Sequence, residues 1–371
     1  MDSVVVVGAG TFGASLAWWL ARAGTQVTLV DQFEPGDARA SSGGETRLIR
    51  CSHGEDGDYT ASARRARTLW RELEAESGAD LLSECGVAWF ARRADGWEAA
   101  SERTLRAQDI PCEHLDVADA ARLFPSFSGD DLEFVLFEPE AGVLRAQRAT
   151  RTLADRAVAH GARLEHVAAR PDGTAVVLAD GRHLEADVVV WACGGWLAQL
   201  FGAHVSLRTT RQDLFFLDGG AAWAGAPGWV DYDGAVYGTG DIDGLGVKAA
   251  PDFEGPPLAP DAPLPATDPA NERWARDYLA GRFPVLAGAP LVSSRTCRYE
   301  LSPDSHFIAA QHPEHANVWL LGGGSGHGFK HGPAMAERVA AVLAGGPPLP
   351  ARFALSDRAP GHSLRTAGSN R

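Results

Sequence analysis

The stretch that most constrains this chain is its first thirty residues. Val4-Val5-Val6-Val7 runs straight into Gly8-Ala9-Gly10-Thr11-Phe12-Gly13, then an apolar run over 14–22, then Gln26-Val27-Thr28-Leu29-Val30-Asp31. The pattern predicts a buried strand, a glycine turn, a helix, and a second strand ending in an acid. Gly8 permits the tight turn, Gly10 lets a pyrophosphate approach the backbone, and Gly13 lets helix and strand pack closely. The positive end of the helix faces the phosphates, and Asp31 is placed to accept hydrogen bonds from a ribose hydroxyl. A dinucleotide site follows from this unit. Which dinucleotide, and what chemistry, do not.

Two further strand–glycine elements lie far along the chain: Val188-Val189-Val190-Trp191-Ala192-Cys193-Gly194-Gly195 and Val318-Trp319-Leu320-Leu321-Gly322-Gly323-Gly324. One nucleotide-binding domain assembled from separated segments is implied, with a second domain built from the insertions. At 371 residues the chain exceeds what one core usually serves. A nicotinamide dehydrogenase usually keeps its dinucleotide-binding half contiguous, so the interrupted layout favours a flavin.

Between these elements, helices are expected over 59–77, 97–108, 146–160 and 333–343, with another opened by Asp268-Pro269. Residues 134–144 read as a strand and turn. Residues 163–187, broken at Pro171-Asp172-Gly173 and Asp180-Gly181, read as an antiparallel ribbon. Arg47 and Arg50 are three apart, and on a helical turn both guanidinium groups would share one side.

The net charge of −14 argues against nucleic acid or an anionic membrane as partner. No apolar run reaches the roughly 20 residues that span a bilayer, and a strand beginning near residue 3 leaves no room for a signal peptide. Cys51, Cys85, Cys112, Cys193 and Cys297 are odd in number and scattered, without zinc-site spacing. A soluble, cytoplasmic, monomeric protein without a metal is expected. Only Lys248 and Lys330 among the 34 basic residues are lysines; the rest are arginines. A lysine kept against such a bias points to a need for a compact charge with an accessible neutral form.

Six segments carry a family resemblance: VVVVGAGTFGAS, GGETRLIR, FEPEAGVL, YGTGDIDGLGVK, TCRYELSPDSHFI and HPEHANVWLLGGGSGHGFKHGP. Nearly end to end, the chain resembles the monomeric sarcosine oxidase and N-methyl-amino-acid oxidase family, within the glycine/D-amino-acid oxidase group of flavoproteins. The resemblance implies an α/β fold: a Rossmann-like FAD-binding domain from 1–82, 145–204 and 294–371, and a substrate domain on a mixed antiparallel sheet from 83–144 and 205–293. It implies FAD, attached through Cys297 by a thioether, with Arg295 and Arg298 lowering the thiol's pKa if they face it. The implied reaction oxidises the C–N bond of a secondary or cyclic α-amino acid to an imine, with O2 reduced to hydrogen peroxide.

Residue by residue, Lys248 matches the lysine at the flavin face that activates oxygen, and Arg47 an arginine beside the ring. Arg50 and Lys330 match the pair that holds the substrate carboxylate. Tyr237 matches a substrate-site tyrosine. Ser42, Thr46, Gly324, Gly326, His327, Gly328 and Lys330 join Gly8, Gly10, Gly13 and Asp31 around the cofactor, His327 ordering backbone rather than acting as a base. Three departures stand out. Gly43 replaces a common histidine, Asp252 occupies the place of an active-site histidine, and His331 follows Lys330 without an assignable role. Asp252 is expected to pair with a substrate amine or ring N–H. Alternatives are a same-fold FAD dehydrogenase with another electron acceptor, and a nicotinamide-dependent dehydrogenase.

Overall fold

The computed structural model describes residues 1–356 and 358–360; the end of the expected cofactor segment, 361–371, lies outside the described residues. Val4 to Val7 are all buried, as β-branched residues are in a parallel sheet covered on both faces. Ser3–Val7 is central to a six-stranded sheet of order Ile308–Gln311, Val318–Gly322, Val188–Trp191, Ser3–Val7, Gln26–Asp31, Arg163–His166. All neighbours are parallel except the first pair. Helix Thr11–Arg22 packs against helices Ala146–Ala159 and Gly332–Leu343 over one face. The three strand–glycine elements thus lie side by side at the sheet's centre, as their sequence pattern predicts.

A second, eight-stranded mixed sheet runs in the order Leu291–Leu301, Arg208–Leu217, Val247–Pro251, Val236–Thr239, Gly228–Asp231, Val87–Ala91, Phe134–Glu138, Glu113–Leu115. Alternation along each strand gives its two faces different work. Phe215, Leu217, Val247, Ala249 and Trp229 pack with Phe90 and Phe283 in an apolar core. The opposite face carries the registered pairs Gln212 with Cys297, Phe216 with Lys248, and Tyr237 with Ala250. A small antiparallel sheet of Thr46–Ile49, Gly142–Arg145 and Leu82–Ser83 brings Thr46 against Lys248.

Several elements differ from expectation. Thr46–Ile49 is a strand, not a helical turn, because it pairs along its length with Gly142–Arg145. Three residues apart on an extended chain fall on opposite sides, so Arg47 and Arg50 part company. Of the expected ribbon over 163–187, Arg163–His166 instead joins the six-stranded sheet beside Gln26–Asp31. Only Ala169–Asp172, Ala175–Leu178 and His183–Leu184 form the antiparallel part. The boundary expected at 293/294 falls inside Leu291–Leu301, all of which belongs to the eight-stranded sheet. No helix among the described residues is long and apolar enough to cross a membrane.

Two glycines test these packing arguments in opposite directions. A Cβ on Gly13 would stand 1.9 Å from the Gly8 carbonyl oxygen; Gly13→Ala is expected to cost about 1–3 kcal/mol or more by forced displacement of the turn. Gly281, exposed in helix Pro269–Arg282, would present its Cβ to open space. There Gly281→Ala is expected to stabilise by about 0.5 kcal/mol. Denaturant midpoints of the two variants check both.

Candidate active site

A cleft with about 1340 Å³ of empty space, its open mouth included, runs past the carboxyl ends of Ser3–Val7, Gln26–Asp31, Val188–Trp191 and Val318–Gly322. It lies where open α/β sheets bind ligands. Gly8, at φ +106°, closes the turn with its Cα hydrogen side toward Ala192; a Cβ there would lie 2.4 Å from the Ala192 oxygen. Gly10 lines the cleft and opens helix Thr11–Arg22 with no side-chain cap, so the first N–H groups are left for a ligand. Asp31 lies at the rim, half-buried, its carboxylate accepting the Ala9 N–H at 2.6 Å and the Phe33 N–H at 2.9 Å. Burial raises its pKa above the ordinary carboxylate value. Across the cleft, Gly324, Gly326 and Gly328 form the opposite wall. A Cβ on Gly328 would lie 2.6 Å from Gly324 Cα.

Two buried polar atoms along this cleft have no hydrogen-bond partner among the described residues, Ser42 Oγ and Glu300 Oε2. An uncapped helix start, orphaned donors and acceptors, and glycine walls fit a phosphate-bearing dinucleotide such as FAD.

Beyond the cleft's inner end four cationic side chains gather. Arg47 lines the cleft and donates to three carbonyls, those of Thr46, Ser41 and Gly43, each at 2.8 Å. It thereby clamps the loop that follows the second strand. Gly43 is required by that loop: a Cβ there would stand 2.3 Å from the Asp37 oxygen, which accounts for the missing histidine. Lys248, fully buried, points its Nζ at the Thr46 carbonyl (3.3 Å) and hydroxyl (3.4 Å), 5.0 Å from the Tyr237 ring centroid. Burial, reinforced by the charges of Arg47 and Arg295, lowers its pKa to about 7.

Arg50 is buried over the Trp89 and Trp97 rings, 5.0 and 5.9 Å from their centroids, and donates to the Ser52 carbonyl. Burial lowers its pKa to about 10, which leaves it cationic at neutral pH. Lys330 is buried too, with Nζ donating to the His327 carbonyl at 2.9 Å. Burial and then the Arg50 charge push its pKa well down. Neither forms an ion pair among the described residues. The Glu138 carboxylate that acts on both is occupied with the N–H groups of Cys51, Ser52 and the Trp89 indole and with the Ser52 hydroxyl.

Asp252 is buried, not facing solvent, and accepts from Tyr299 Oη at 3.3 Å; Tyr299 in turn meets Tyr237 Oη at 3.2 Å. Its charge reaches Arg50. Cys297 is buried with Leu214, Phe216, Ala250 and Tyr299 on the same sheet face. Its two expected activators are otherwise engaged. Arg295 pairs with Glu45 at 2.6 Å, and Arg298 donates to the carbonyls of Ala259 and Ala262. Arg298, adjacent in a strand, points away from the thiol's face.

The sequence missed one assembly entirely. His53, His327 and His331 bring ring nitrogens within 4.8 Å of one another. Their outer nitrogens are engaged: His53 Nδ1 with the Cys51 carbonyl, His327 Nε2 with that of Ser305, His331 Nδ1 with Ser62 Oγ. Burial, then neighbouring charge that includes Arg50 and Lys330, pushes all three pKa values well down. Those same cations oppose a metal ion there. Tyr299, Glu300, Trp89 and Trp97 also went unassigned, although Tyr299 and Glu300 lie within TCRYELSPDSHFI.

A dinucleotide cleft at strand ends, opening on a buried cationic pocket, defines a redox flavoprotein of the two-sheet kind. Residues 3–342 match the family described as FAD dependent oxidoreductase, and the chain belongs to it. It is 30% identical over 357 residues to a monomeric sarcosine oxidase from Bacillus sp. (strain B-0618), covering 90% of each chain. It is 28% identical to an N-methyl-L-tryptophan oxidase from Yersinia pestis (strain Pestoides F), covering 94% of this chain and 96% of that one. Among solved structures, L-proline dehydrogenase from P. horikoshii shares the fold at TM-score 0.83 and 20% identity, over 95% and 97% of the two chains. Iminodiacetate oxidase from Chelativorans sp. BNC1 does so at 0.80 and 24%, over 96% and 99%. The protein is an FAD-dependent oxidoreductase, and the nicotinamide alternative falls with that membership.

The depressed pKa of Lys248 has a consequence for stability. Between about pH 7 and the ordinary lysine value near 10.4, the unfolded chain carries a proton on this amine that the folded chain does not. Its contribution therefore makes folding more favourable as pH rises through that window and is largely lost below it. Lys248→Met is expected to flatten this rise in the apoprotein, read as denaturant midpoint at pH 7 to 10. An unchanged slope would show that the amine ionises normally.

Proposed function

We propose that this protein is an amine oxidase that converts the C–N bond of a secondary or cyclic α-amino acid to an imine and passes the electrons to O2, giving hydrogen peroxide. The observation that carries the reading is the pair of buried basic side chains, Arg50 and Lys330, beside the cleft, neither of them in a direct ion pair with a carboxylate among the described residues. A substrate carboxylate supplies the missing anion: Arg50 offers a planar fork and Lys330 a point charge. Bound FAD supplies the two-electron oxidant for the C–N bond. Lys248 and Arg47 place positive charge where that cofactor's ring would lie. Lys248, at a pKa near 7, is poised to stabilise negative charge developing on oxygen and to give up a proton. Tyr237 and the Tyr299–Asp252 pair form the facing wall, and Asp252 is suited to receive the substrate amine or ring N–H. No strong base is required once the substrate nitrogen is neutral.

The same reading takes Gly8, Gly10, Gly13, Asp31, Ser42 and the Gly324–His327–Gly328 wall as the FAD cradle and Cys297 as its covalent tether. It divides the chain at the two sheets into a cofactor part and a substrate part. The free thiols and acidic charge support a monomeric protein of the cytoplasm.

Peroxide-coupled assays over N-methyl and cyclic amino acids test the reaction. Arg50→Gln and Lys330→Met are each expected to raise KM for the preferred acid about 10–100-fold, the worth of a charged hydrogen bond. Unchanged KM in both would sink the carboxylate assignment. Lys248→Met is expected to slow reoxidation by O2 at least 100-fold while anaerobic reduction by substrate stays within a few-fold. Turnover with an artificial acceptor but no peroxide would instead favour the dehydrogenase reading. Acid precipitation settles the tether, since a covalent flavin leaves its yellow colour in the pellet and Cys297→Ala releases it.

A further inference from the structure

Glu300 is a glutamate on the strand Leu291–Leu301, three residues beyond Cys297, and it lines the dinucleotide cleft. The residue is fixed through both its side chain and its backbone. Oε1 accepts the Gly324 N–H at 3.3 Å, and the Glu300 carbonyl accepts the Ser325 N–H at 2.9 Å, so the residue is locked against the C-terminal glycine wall. Oε2 has no hydrogen-bond partner among the described residues. It lies 3.2 Å from where a Cβ on Gly194 would stand, and Gly194 lines the cleft as well. Gly194 and Gly324 beside it have no side chain to cover that oxygen, while the Ser41 hydroxyl reaches the carboxyl group. A buried carboxyl with an unmet oxygen costs free energy unless a ligand supplies the donor.

Resting on FAD as the cofactor, we infer that Glu300 is a cofactor-binding residue whose free oxygen receives a hydrogen bond from a ribityl hydroxyl. The chemistry of the ligand's parts selects that group. Phosphate would repel a carboxylate and has its own site at the uncapped start of helix Thr11–Arg22. The adenosine ribose belongs with Asp31 at the far strand. Ser41, whose hydroxyl reaches the Glu300 carboxyl group, gives its carbonyl to Arg47, the cation expected beside the flavin ring. Glu300 thus sits next to the ring end of the ligand, at the polyol chain, where hydroxyls are the donors. Burial raises its carboxyl pKa while the nearby Ser41 hydroxyl holds it down, in keeping with a group whose hydrogen bonding is incomplete.

The test uses the full-length protein in a Cys297→Ala background, so that FAD binds reversibly whether or not the wild type tethers it. Apoprotein is titrated with FAD by quenching of flavin fluorescence, with near-UV circular dichroism to confirm folding. Glu300→Leu is expected to weaken FAD about tenfold or more, and Glu300→Gln, which keeps an acceptor in place, to stay within about threefold. FAD analogues lacking the 2′, 3′ or 4′ ribityl hydroxyl locate the partner. One of them is expected to bind about tenfold more weakly to the Glu300 protein yet no more weakly than FAD to the Glu300→Leu protein. Equal affinities of Glu300→Leu and its parent for FAD, or strictly additive losses for all three analogues, would overturn the assignment. A folded Cys297→Ala protein that takes up no FAD at all would overturn the cofactor reading first and this inference with it.

Discussion

The site depends on burying positive charge that, among the described residues, no carboxylate meets in a direct ion pair. Lys248, Arg50 and Lys330 are almost wholly withdrawn from water, and Arg47 is partly so. Each is held by carbonyl or hydroxyl oxygens rather than by a carboxylate. Desolvating an ion is costly, and carbonyl dipoles compensate only in part. The rest of the balance is met by giving up protons, as the depressed lysine values show, or by an incoming anion. A fold that tolerates such a pocket must enclose it from every side. Three sheets contribute: Lys248 from the eight-stranded one, Arg47 from the small one, and Lys330 from the turn after the last strand of the six-stranded one.

Within the six-stranded sheet and its first helix, the elements meet by contact without side chains. Gly8 against Ala192 and Gly13 against Gly8 join strand, helix and neighbouring strand at distances no Cβ would allow. Gly324 and Gly328 repeat the device on the opposite wall. The cleft is therefore walled by backbone, whose N–H groups suit phosphate and whose rigidity sets where the ligand's far end falls. Glu300 is the exception, a carboxyl group placed among glycines.

Much of the fold was legible in the sequence because the relevant signals are local. Four consecutive valines before a glycine turn specify a buried parallel strand, and Asp268-Pro269 specifies a helix start that the structure shows, with Asp268 accepting the Ala270 N–H. Arg47 and Arg50 were misplaced because their conformation is set by pairing with Gly142–Arg145, nearly a hundred residues on, which spacing cannot reveal. Arg163–His166 was lost for the same reason. The site was legible as a set of residue types, the two lysines above all, both of which prove to be buried. The histidine cluster was not. His53 and His331 are separated by 278 positions and meet only because helix Gly57–Ser77 packs against Gly332–Leu343.

The lysine distribution also fixes the protein's chemical surface. Every positive side chain presented to water is an arginine, or a protonated histidine, and both lysine amines lie inside. Reagents that acylate amines find the N-terminal amine on the folded molecule and little else. The polypeptide is thus nearly invisible to lysine-directed labelling, crosslinking and acetylation as long as it stays closed. Modification of Lys248 or Lys330 becomes a direct record of how often the interior opens.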